Sequence, residues 1–96
     1  MSLLTQCKLL LRQQNTTAFD TEIQALIDAC ISDLLLSGVV YKDDPLLNRA
    51  ITIYVKAHFG SENPDRQGLI DCYNSLKIHL TISKKYGEEL ENEKGH

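Results

Sequence analysis

Three cysteines, three histidines and a scatter of acids are the side chains here that could attack a carbonyl, hold a metal or move a proton. Cys7, Cys30 and Cys72 are odd in number and far apart, with no CxxC pair and no Cys/His cluster at zinc spacing. A thiol nucleophile needs an adjacent base or a lowered pKa. None has such a neighbour, and each falls in an apolar stripe where cysteine serves as a small buried hydrophobe. His58 lies in the last turn of an apolar helix near Leu47, Ile51 and Tyr54, where an imidazole packs or faces the helix dipole. His79 sits at the edge of a core stripe with no acid four residues away, and His96 is terminal. Asp28, Asp33, Asp43, Asp44, Asp65 and Asp71 suit helix caps and solvated faces, and no carboxylate pair stands out. No HExxH, phosphate-loop or GxSxG pattern occurs. The expectation is a protein that is no enzyme and carries no metal or cofactor.

Composition narrows the class. Ninety-six residues make one domain, which buries about 60–65 % of the surface its unfolded chain exposes. Hydrophobic residues at 43 % and charged residues at 24 % are ordinary for a globular protein. Ten basic residues against thirteen acidic leave a net charge of −3, which argues against a domain built to grip phosphates. The cysteine usage suits a reduced, intracellular setting. No apolar run nears the roughly 20 residues that span a bilayer, and the start has no secretory signal region. The terminal "MSL" and "GH" carry no functional argument, since a cloning remainder explains them equally well.

The elements that must position these residues are helices, because every strong periodicity is near 3.6. The first is expected over about Leu3–Gln13, with Leu3, Leu4, Cys7, Leu10 and Leu11 on one stripe, Lys8 facing away and Ser2 or Thr5 as cap. The second runs from about Thr21 to Ser37, with Asp20 as cap, Ile23, Leu26, Ile27, Cys30 and Leu34 buried, and Gly38 as stop. "DPLLNRAITIYVKAHFG" is the third, capped by Asp44, started by Pro45 and ended by Gly60. Asn48, Arg49, Thr52 and Lys56 share a polar arc of roughly 100°. Apolar residues fill most of the rest, so this helix must be central or must face another subunit.

The fourth helix is expected over about Pro64–Ser83, with Leu69, Cys72, Tyr73, Leu76 and Leu80 toward the core. Ile78 and Ile82 lie more than about 90° from that stripe. If exposed they want a neighbour, and a second core contact within the chain is the equal alternative. Residues 84–96 lose periodicity and are highly charged, which reads as a mobile tail. The expected fold is all-α, a small four-helix bundle over 1–83 with a charged tail over 84–96. Arg49 and Lys56, with Lys84 and Lys85, are the basic features, and a solvated face accounts for them unless they contact a partner.

The order "ALIDACISDLLLSGV", then "DPLLNRAITIYVKAHFGSENPD", then a helix containing "YNSLKIHLTIS" resembles the head-tail connector family of tailed phages and prophages, also described as adaptor or DNA-packaging proteins. The likeness runs from the first helix to about Ser83. It rests on Asp44, Pro45, Leu46, Arg49, Ala50, Ile51, Tyr54, Val55, Lys56, Ala57, Phe59, Gly60, Asn63, Pro64 and Asp65. The resemblance implies a helical bundle that assembles as a homo-oligomeric ring beneath the portal protein in the virion neck. That ring extends the channel through which DNA passes without specific binding, and it offers a platform to the next neck or tail-completion protein.

The family has no catalytic residues to transfer. Its portal-docking segment falls here on Ser83, Lys84, Lys85 and Tyr86. Ile53, Val55, Ile78 and Ile82 are the expected subunit-interface residues, and Asn48, Arg49, Thr52 and Lys56 the channel or polar face. A ring needs heterologous contacts, one patch against a different one. The alternative is a small helical nucleic-acid-binding or regulatory protein reading DNA with its third helix. The apolar flanks of that helix speak against it, since a recognition helix exposes a polar, basic face.

Overall fold

A computed structural model describes residues 2–83. The described chain is all-α, four helices with no strand among them: α1 (Leu3–Leu10), α2 (Asp20–Leu36), α3 (Pro45–His58) and α4 (Arg66–Ile82).

Local chemistry sets each boundary. Ser2 caps α1 by accepting the Thr5 amide at 3.1 Å. That helix ends at Leu10, sooner than periodicity suggests. The Gln13 amide bonds back to the Lys8 carbonyl and the Arg12 amide to that of Leu9, around Arg12 at φ +61°. The same C-terminal motif closes α2, here with Gly38 at φ +91° in the left-handed position. Val39 behind it is buried beside Leu34. Asp44 caps α3 by accepting from the amides of Leu46 and Leu47 at 3.0 and 3.2 Å, ahead of Pro45. At the far end, Arg66 donates to the carbonyls of Ala57 (2.7 Å) and Gly60 (3.0 Å), and Asn63 donates to that of Lys56 (2.9 Å). These bonds satisfy carbonyls that a helix end leaves without partners.

Asp20 does not cap α2. It lies inside the helix and makes an ion pair with Lys8 at 2.8 Å, an ionic contact and not a directed hydrogen bond. Lys8 therefore turns toward α2 and fastens the short α1 to it.

The core is one cluster: Cys7 from α1, Ile23, Ile27, Cys30 and Leu34 from α2, Val39, then Leu47, Ala50, Ile51 and Val55 from α3, and Tyr73 and Leu80 from α4. The third helix packs against each of the other three, whereas α2 and α4 scarcely meet directly. It is the central helix, and most of its broad apolar circumference is consumed within the chain, with Leu46 exposed and Ile53 only half-buried. Phe19 and Phe59 meet edge to face, centroids 5.5 Å apart, and fasten the α1–α2 link to the end of α3. None of the described helices is long and apolar enough to cross a membrane.

Candidate functional site

Two surfaces stand out, a polar seam bridging α2 and α4 and the outer flank of α4. The seam starts from spacing: Tyr73 and Lys77 are four residues apart on α4 and so share a face. That face meets Asp33, one turn beyond Cys30 on α2. Cys30 Sγ donates to Tyr73 Oη at 3.6 Å, Tyr73 Oη donates to Asp33 Oδ2 at 2.7 Å, and Lys77 Nζ donates to the same oxygen at 2.9 Å. The ammonium also lies 5.4 Å from the centre of the Tyr73 ring.

Electrostatics hold this chain of bonds in one protonation state. Burial alone would raise the Asp33 pKa, but the hydrogen bonds from Tyr73 and Lys77 and the charge of Lys77 outweigh it and hold the carboxyl below its usual range. Burial, with the bond to Asp33, pushes the Tyr73 phenol well above the tyrosine range. Burial pushes the Cys30 thiol up to about 12 and that of Cys7 up to about 11. The Cys30 thiol and the Tyr73 phenol thus stay protonated near neutral pH, and with Asp33 and Lys77 they tie two helices together.

Beside the seam opens a cleft of about 280 Å³ between α3 and α4, lined by Asp33, Tyr54, His58, Tyr73, Asn74 and Lys77 among others. Tyr54 stands against Tyr73 with centroids 5.1 Å apart and tilts over His58 at 4.4 Å. His58 is a packing histidine at the exposed end of α3.

The expected interface residues divide. Ile78 and Ile82 are exposed, at 57 % and 72 %, so the second core contact does not exist and their flank of α4 is open. Ile53 is half-buried against the core. Val55 is fully buried among its own chain's core residues and is out of reach of a neighbouring subunit. The polar face also shrinks. Arg49 is exposed, and Thr52 and Lys56 are partly so. Asn48, however, is buried at 9 %. Its side chain donates to Asp43 Oδ1 and accepts from Tyr41 Oη, both at 2.9 Å, pinning the α2–α3 connector onto the helix. Cys72 is exposed, unlike Cys7 and Cys30. Ser83 is the last described residue, and Lys84, Lys85 and Tyr86 lie outside the described residues. Among the described residues no group of three His, Cys, Asp or Glu side chains could hold a metal ion.

Reading by residue type missed the seam, because Asp33 looks like one more surface acid. The signal it offered was the Tyr73/Lys77 spacing at the edge of a core stripe.

No curated protein and no solved structure matches the chain. A family model described as phage connector protein matches residues 3–87, which takes in all four helices. The chain belongs to the phage connector protein family.

Proposed function

We propose that this connector is a non-catalytic ring component of the virion neck, seated under the portal, extending the DNA channel and presenting a platform to the next neck or tail-completion protein. The observation that carries the ring reading is the open flank of α4. Ile78 and Ile82, one turn apart, are 57 % and 72 % exposed on a helix whose opposite side is buried. Two β-branched apolar side chains held in water on a rigid element favour a partner. Ile53, half-buried on α3, supplies a different apolar surface, which suits a contact between unlike patches. The chain's net charge of −3 supports a channel wall that lets DNA slide, since each phosphate neutralised by a cation would tighten binding. Arg49 and Lys56 remain on the outer side of α3 as the face nearest that description, and Ser83 leads into the segment proposed to dock on the portal.

Mass photometry of the chain alone and mixed with portal protein tests the reading. A discrete multi-subunit species, formed by the chain at high concentration or nucleated by the portal, is expected. A monomer at every concentration, unchanged by portal, would count decisively against it.

A further inference from the structure

The seam leaves one group of the α3–α4 cleft unused. Tyr73 and Lys77 both bond to Oδ2 of Asp33, and Oδ1 receives no hydrogen bond from the described residues. The Asp33 side chain is 38 % exposed, and a carboxylate can accept on both oxygens. The rings of Tyr54 and Tyr73 line the same cleft. A free carboxylate oxygen beside aromatic faces suits a guanidinium, which bonds through its planar fork and stacks on rings.

The chain carries such a group where its own cleft cannot use it. Arg49 is exposed, and its guanidinium has no ion-pair or hydrogen-bond partner among the described residues. Nine residues separate it from His58 on the same helix, which places the two about 180° apart around the axis. A cation and its acceptor on opposite sides of one rigid helix cannot meet within a copy. They can meet between copies, and because the two patches differ the contact repeats from each copy to the next.

The surroundings match as well. Ile78 is one turn from Asn74 on the cleft rim and is exposed. Ile53 is one turn from Arg49, and Leu46 one turn before it is 36 % exposed. Each charged patch thus has an apolar neighbour.

We propose that the α3–α4 cleft of one copy receives Arg49 of the next, its guanidinium on Asp33 beside Tyr54 and Tyr73, with Ile78 packed against the neighbour's Ile53 and Leu46. This rests on the ring reading above and names the contact that would build the ring.

Cysteine cross-linking tests it. In a Cys72→Ser background that keeps Arg49, Thr52→Cys, one turn from Arg49 and partly exposed, and Asn74→Cys are made singly and together and treated with a short bis-maleimide; Cys7 and Cys30 are buried. Circular dichroism confirms the helical fold of each. The double variant is expected to give a ladder of multimers, and an equimolar mixture of the single variants a linked dimer. Neither single variant alone should link. In the otherwise native chain, Arg49→Glu should raise the concentration needed for assembly at least about tenfold, and Arg49→Lys should recover part of it. Assembly on portal without any 52–74 link would overturn the contact and leave the ring standing. A chain that stays monomeric with and without portal would overturn both.

Discussion

Tyr73 on α4 donates a 2.7 Å hydrogen bond to Asp33 on α2, joining two helices that otherwise lean on α3 and scarcely touch each other. Tyr73 is only 4 % exposed, and its acceptor is charged. Tyr73→Phe keeps the ring and removes the bond, which for a charged partner costs about 1.5–3 kcal/mol. It also leaves the Cys30 thiol without its acceptor. The melting temperature should fall by several degrees, and an unchanged melt would show that the tie is idle. The pH dependence follows from the depressed Asp33 pKa. Stability from a depressed carboxyl is fully present above its unfolded value, about 3.9, and is lost as pH falls through the lower folded value. Urea titrations between about pH 6 and pH 2 should therefore show a steeper acid decline in the native protein than in Tyr73→Phe.

The three thiols should separate by reactivity. Burial holds Cys7 at about 11 and Cys30 at about 12, so neither is ionised near neutral pH, and both are shielded. Cys72 is exposed on α4. A thiol-reactive chromophore at about pH 8 should label one site rapidly in the folded chain and three after denaturation. Rapid labelling of two or more sites without denaturant would contradict the packing of α1 or α2.

Helix periodicity carried the four helices and the central place of α3, because a broad apolar circumference leaves a helix few other positions. It failed where a side chain answers to something outside its own helix. Asn48 falls on the polar arc of the wheel, yet Tyr41 and Asp43 reach it from a connector that has no periodicity to read. Asp20 has the composition of a cap, but Lys8 claims it across a turn. The wheel offers Val55 to a neighbour because α3 reads as too apolar for a small bundle, but packing against the other three helices absorbs most of that excess, Val55 included. The Asp33–Tyr73 pair is separated by 40 positions in sequence, and only the folded chain brings its members together.

Arg12 holds the left-handed position at the end of α1, φ +61°, where a Cβ crowds the following carbonyl. Glycine adopts this conformation freely, and Gly38 does so in the same motif after α2. Arg12→Gly should therefore stabilise the chain by about 0.5–1 kcal/mol, seen as a higher urea midpoint at unchanged m-value. A lower midpoint would mean that the Arg12 side chain contributes more than its backbone costs.

Ile51 and Ile78 provide the sharpest contrast between folding and assembly. Ile51 is fully buried and Ile78 is 57 % exposed, on neighbouring helices of one small protein. Removing Ile51 to Ala opens a cavity beneath the central helix and should cost about 2–5 kcal/mol. Exchanging Ile78 for Asp removes no internal contact of that kind, so chain stability should move by no more than about 0.5 kcal/mol. The charge would instead stand where the proposed neighbour packs, and burying an unpaired carboxylate there is costly. Ile78→Asp should thus melt like the native chain yet fail to assemble on portal, with Ile82→Asp behaving alike. If Ile78→Asp assembles normally, the open flank of α4 is not the subunit contact. If it unfolds the chain, Ile78 contributes to the monomer in a way that its exposure does not show.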